Sequence, residues 1–110
     1  MLVDLSGIPA EIDIDESSGT VAVNAAATYG KVAPALDLAG FALHNVGSLP
    51  HISVAGATAT GTHGSGSGLG SLCTVVRALE ILGSDGAVRT LNHDSVDFPG
   101  AVIHLGLLVL

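Results

Sequence analysis

A chain of 110 residues has room for one small domain or part of a larger one. Hydrophobic residues make up 48% and charged residues 12%, too apolar a balance for a disordered segment. Three cations, Lys31, Arg77 and Arg89, face ten acids for a net charge of −7, which removes the basic face that nucleic acid or an anionic membrane needs.

Fifteen glycines recur without a collagen-like period. Aromatics are 3% and Trp is absent, so a core of Ala, Val, Leu and Ile is expected. The single cysteine, Cys73, leaves no partner for an intrachain disulfide and reads as a small buried residue at a strand start. No basic stretch and apolar run open the chain, so no export signal is expected and the localisation reads as cytoplasmic.

In chain order, Leu2–Leu5 reads as a short strand ended by a turn at Ser6-Gly7-Ile8-Pro9. Ile12 and Ile14 alternate with Asp13 and Asp15, the period of a half-buried strand. Glu16–Gly19 turns the chain and residues 20–24 return it, a hairpin. A helix from Thr28 to Gly40 would bury Val32, Leu36 and Ala39 with Ala35, and Pro34 predicts that it either starts there or kinks there. Phe41–Leu43 reads as extended. Residues 47–70 hold seven glycines, five of them after position 60, around a short helix at about Val54–Thr60. Thr74–Leu82 reads as the strongest strand, Gly83-Ser-Asp-Gly86 as its turn and Ala87–Leu91 as its partner. Asn92–Pro99 reads as a polar turn. The run Ala101–Leu110 is too short for a membrane span of about 20 residues. It reads as an apolar surface that associates with further polypeptide, or as a strand buried in its own sheet.

The chemistry concentrates between Ser48 and Gly66. Ser53 is placed to cap a helix whose first amides, near Val54 to Gly56, would point outward unpaired and hold a phosphate through N–H groups and the helix dipole. Glycine-rich turns at 61–68 would add anion nests. With so few cations, backbone amides are the evident way to hold a pyrophosphate. Competing motifs fail on spacing. No lysine follows Lys31 to complete a P-loop, Gly64, Gly66 and Gly68 run at two-residue steps, and neither Ser65 nor Ser67 sits in a Gly-x-Ser-x-Gly elbow. His44, His51 and His63 lack metal-ligand spacing, so no metal site is expected. His44, His93 and His104 read as non-functional, and Tyr29 as packing.

The stretch Ser48-Leu-Pro-His-Ile-Ser-Val-Ala-Gly56, followed by Thr62-His-Gly-Ser-Gly66, resembles the flavin-binding domain of the alditol (xylitol) oxidases. These group with the aldonolactone oxidases in the vanillyl-alcohol-oxidase type of flavoprotein. The likeness extends more loosely to Leu5–Pro9, Thr28–Gly30, Gly83–Gly86 and Phe98–Val102. It implies an α+β FAD-binding domain of the vanillyl-alcohol-oxidase (PCMH) type, of which residues 1–110 are the central part. It implies FAD as cofactor, with contacts from Ser48, Ser53, Val54, Gly56, Thr62, His63, Gly64 and Ser65, and Ser48 also beside the substrate. The implied chemistry is oxidation of a polyol with O2 giving H2O2, or of a sugar lactone in the alternative reading. A non-catalytic remnant is the reading from a different class. The family's covalent flavin histidine belongs upstream of the residues seen here, and its substrate-orienting Glu, Arg and Lys belong to a second domain downstream. No catalytic residue is therefore expected in this chain, and no turnover by it alone.

Overall fold

The computed structural model describes residues 4–107. The first unit is a hairpin, β1 (Ile12–Asp15) against β2 (Thr20–Val23), with Ile12 opposite Val23 and Ile14 opposite Val21. The alternation read from the sequence puts these four side chains on one face. They pack on Ala27, Val32 and Leu36, while Asp13 and Asp15 face solvent. The turn is held by the Asp15 carboxylate, which accepts from the Ser17 amide at 2.9 Å and from the Ser17 and Ser18 hydroxyls at 2.6 Å. Those donors pull the Asp15 pKa down to about 2. Of the strand read at Leu2–Leu5, residues 2 and 3 lie outside the described residues. Asp4 and Leu5 are not in a strand, and the turn follows at Ser6–Ile8.

Helix α1 (Tyr29–Leu38) follows with Thr28 at its N-cap position. It runs through Pro34 rather than starting there. Val32 and Leu36 are buried on the hairpin side, with Ala35 and Ala39 half-buried. The helix ends in a Schellman turn. Gly40 (φ +80°) donates to the Asp37 carbonyl and Phe41 to that of Leu36, a geometry that glycine reaches without the Cβ penalty.

The second half is built on α2 (Val54–Ala59), a 3-10 turn at Leu72–Val75, the antiparallel pair β3 (Ala78–Leu82) and β4 (Val88–Asn92), and α3 (Phe98–Val102). Tyr29, Ala57 and Leu72 form a second core cluster that joins α1 to α2. The expected strand at Thr74–Leu82 begins four residues late. The Thr74 hydroxyl donates to the Ser71 carbonyl at 2.7 Å, a local bond that competes with sheet pairing and favours the 3-10 turn. Cys73 therefore lies in that turn, half-buried, its sulfur 2.8 Å from the Ser71 hydroxyl.

Three further expectations are corrected. The turn read at Asn92–Pro99 holds for residues 93–97, but Asn92 ends β4 and Phe98 and Pro99 begin a helix, because Pro99 in the first turn needs no amide partner there. The apolar run after residue 100 is no strand over its described part. Ala101 and Val102 finish α3, Ile103, Leu105 and Leu107 are exposed, and Leu108–Leu110 lie outside the described residues. The core is not purely aliphatic, since Tyr29 and Phe98 are both buried in it. Among the described residues helix and strand are thus mixed and local, with two separate two-stranded sheets. No helix among the described residues is long and apolar enough to cross a membrane.

Candidate functional site

The segment before α2 is strapped across the start of α1. The Gly30 amide donates to the Pro50 carbonyl at 2.7 Å, Tyr29 to Ile52 at 3.1 Å, and Val54 to Ala27 at 3.0 Å. Position 30 has to be glycine for this crossing, because a Cβ there would sit 2.9 Å from the Pro50 carbonyl oxygen. Ser53 then caps α2, its Oγ accepting from the Gly56 amide at 3.1 Å. The helix closes in a second Schellman turn at Gly61 (φ +64°), where Gly61 donates to Thr58 and Thr62 to Ala57, both at 3.0 Å. That turn throws Thr62–Gly66 back toward residues 45–49.

The two stretches face each other across a cavity of about 490 Å³, within the range of about 300–1,000 Å³ usual for ligand pockets. One wall is Asn45–Leu49 with Ile52, and the other is Thr62–Gly66 with Leu69 and Leu72. Among the described residues, the amides of Gly47, Ser48 and His63–Gly66 donate to no protein acceptor. The hydroxyls of Ser48 and Ser65 are likewise free to bond a ligand, and Thr62 Oγ1 lies 3.1 Å from Thr60 Oγ1. The His63 Nδ1 lies 3.1 Å from the Gly64 carbonyl. Val46, Leu49 and Leu69 give the same cavity an apolar side. No Lys or Arg lines it.

The structure brings Ser48, Thr62, His63, Gly64 and Ser65 into one cavity and leaves Ser53, Val54 and Gly56 outside its lining. The physical reason given for those three is corrected. The Val54 amide bonds Ala27 and the Gly56 amide bonds Ser53, so of the first three amides of α2 only that of Ala55 has no acceptor among the described residues. The unspent donors sit instead at 47–48 and 63–66. Gly47 and Asn45 were not singled out from the sequence, and isolated residues in an irregular segment carry no periodic signal that would do so. His51 is exposed and outside the lining. His93 stacks edge-on against Phe98 at 4.8 Å, and His104 Nδ1 accepts from the Gly106 amide. Tyr29 is packing, and burial raises its hydroxyl pKa. No group of three metal-ligating side chains occurs among the described residues.

Neutral N–H and O–H donors along two walls, glycines that let a ligand reach the main chain, and aliphatic side chains between them suit a ligand with an anionic and an apolar part, as a nucleotide has. The model of the FAD binding domain family matches residues 1–92, and the chain belongs to that family. It is 44% identical over 108 residues to an alditol oxidase from Streptomyces sp., covering 98% of this chain and 26% of that protein. It is 31% identical over 108 residues to an L-gulono-1,4-lactone dehydrogenase from Mycobacterium tuberculosis (98% and 25%), and 35% identical over 99 residues to an L-gulonolactone oxidase from Mus musculus (88% and 22%). The chain thus spans about a quarter of the length of these relatives. The cofactor is FAD, as the resemblance implied. The donor set fits it, because a pyrophosphate needs clustered hydrogen-bond donors and these amides lose no protein hydrogen bond by supplying them.

Proposed function

We propose that this chain is the FAD-cradling segment, of the vanillyl-alcohol-oxidase (PCMH) type, of an oxidase that acts on the hydroxyl carbon of a polyol with O2 as acceptor. The observation that carries this reading is the convergence of Ser48 with Thr62–Ser65 on one cavity of unspent donors. The higher identity to an alditol oxidase than to the lactone enzymes favours a polyol over a sugar lactone. Bound FAD supplies the two-electron acceptor. The chain's own part is to bind and orient it: amides at 47–48 and 63–66 hold the anionic centre, and Val46, Leu49 and Leu69 exclude water from the apolar part. Ser48, in the first wall with a free hydroxyl, is our candidate for a substrate contact. Ser53, Val54 and Gly56 act from behind, by fixing the start of α2 and hence the course of the loop that leaves its end. The groups that orient the polyol are assigned to polypeptide outside these 110 residues, which also accounts for the expected lack of turnover by this segment alone.

A fluorescence titration with FAD tests the reading. Gly64→Ala adds a methyl in ordinary contact with Asn45, 3.7 Å away, and should fold and bind. Gly64→Asp sets a carboxylate among the amides and should weaken binding tenfold or more, about 1.4 kcal/mol. A folded wild-type chain that shows no saturable binding, or an Asp variant that binds as well as wild type, would refute it.

A further inference from the structure

The cradle loop is nearly untethered by its own backbone. Between His63 and Ser71 the only described backbone hydrogen bond donated from within the loop is Leu69 to Gly66, and Leu72 to Thr62 closes its base. Four of the nine residues are glycines, which carry the largest backbone freedom. No backbone hydrogen bond joins this loop to the opposite wall among the described residues. Two adjacent side chains do. His44 Nε2 lies 3.4 Å from the Ser71 carbonyl, and Asn45 Nδ2 donates to the Gly70 carbonyl at 3.5 Å. The other end of the Asn45 amide is committed as well, its Oδ1 accepting from the Val46 amide at 2.9 Å, which fixes the plane of the group. That plane lies along the open side of Gly64, within 3.7 Å of where a Cβ would be.

We propose that His44 and Asn45 form a clasp that sets the spacing of the two walls, and that FAD affinity depends on it. Both are positioning residues. His44 is outside the cavity lining altogether, and Asn45 acts by holding Gly70 and backing Gly64. A loop that is already held in place pays less ordering cost on binding, and affinity scales with the fraction of chains in the competent geometry. The inference rests on the proposed FAD reading only for its second half, since the clasp itself is a property of the ligand-free chain.

The test uses the 110-residue chain and two readouts. The first is the 15N heteronuclear NOE of the Gly64, Gly66, Gly68 and Gly70 amides without ligand. The second is FAD affinity by fluorescence. His44→Ala and Asn45→Ala should lower the NOE at these four glycines while leaving those of β1, β2 and α1 unchanged. Each should weaken FAD binding about two- to threefold, the low end of what one net hydrogen bond carries, since both contacts are long and exposed. His44→Gln, which restores an N–H at the same reach, should recover both. Unchanged glycine NOEs in both alanine variants would overturn the clasp, as would a loss of order spread evenly over the molecule. Loosened glycines with unchanged FAD affinity would overturn its role in binding. A wild-type chain that binds no FAD would sink the flavin reading, and with it the clasp's role in binding, while the NOE comparison still decides whether the clasp exists.

Discussion

The same substitution, Gly to Ala, should have opposite effects at two helical positions of this chain. At Gly100 in α3 a Cβ meets nothing within 4 Å and the residue is exposed, so alanine should gain about 0.5–1 kcal/mol from helix propensity and reduced unfolded-state entropy. At Gly30 the same propensity gain is available, but the new Cβ falls 2.9 Å from the Pro50 carbonyl oxygen and 3.1 Å from Pro50 Cβ. A carbonyl oxygen cannot rotate away as a side-chain tip can. Relief requires the 50–54 strap to lift, which also stretches the 2.7 Å bond from the Gly30 amide. Overpacking of this kind costs about 1–3 kcal/mol, and losing a hydrogen bond adds about 1 kcal/mol, so the net loss after the propensity gain is about 1–3.5 kcal/mol. For a domain of this size that is a fall in Tm of about 5–25 °C, against a rise of a few degrees for Gly100→Ala. Thermal and urea unfolding followed by circular dichroism would read both. Since Ser48 and Leu49 lead directly into Pro50, Gly30→Ala should also weaken FAD binding. A Gly30→Ala chain as stable as wild type would refute the claim that the crossing of α1 and the strap is what builds the first wall.

Ser53→Ala should cost about 1 kcal/mol in urea unfolding, the usual price of an N-cap, and FAD affinity should change only as far as the loop after α2 loosens. Stability should also depend on the Asp15 carboxylate. Its folded pKa of about 2 lies below its ordinary value of 3.8, so the contribution is complete above about pH 4 and is lost as pH falls toward 2. The Tm gap between wild type and Asp15→Ala should therefore narrow through that window and close only below about pH 2. FAD binding should be nearly insensitive to salt or should tighten slightly from low to high ionic strength, because neutral donors hold the anion and salt screens the repulsion of a −7 chain. A fall in affinity with salt would show instead that a cation holds the phosphate.

Much of the local structure was legible because it follows from short-range rules. Ile12 and Ile14 against Val21 and Val23 specify a hairpin with one buried face. Gly40 and Gly61 mark two helix ends, and each takes the left-handed turn that glycine permits. What escaped was decided by single contacts. Thr74 bonding back to Ser71 delays a strand that propensity alone would start there. Of the two outcomes read for Pro34, a helix starting there is ruled out, because burial of Val32 and Leu36 on either side of it outweighs one missing hydrogen bond. At the site, Ser53 was recognised as a cap, but the fate of the neighbouring amides depends on Ala27 arriving from another element, which no local pattern reveals. The anion-holding chemistry was legible as a composition of small residues and glycines without cations. The particular amides left unspent are a property of the fold.

The amount of surface bears on how this segment works. A compact monomer of 10.8 kDa is expected to expose about 5,500 Å², whereas this chain exposes 7524 Å². Part of the excess is apolar and scattered, as at Leu38 after the core face of α1 and Val96 before α3. Part is gathered in the cavity, where Val46, Leu49 and Leu69 are each about half exposed. Covering them is worth on the order of 1 kcal/mol apiece at about 25 cal/mol per Å². A flat ring placed against such side chains gains that burial without displacing any protein contact, while the amides that the protein leaves unpaired take up an anion. On the proposed reading the two halves of the site therefore need different parts of one ligand, and a free phosphate or an isolated flavin ring should each bind far more weakly than the whole dinucleotide.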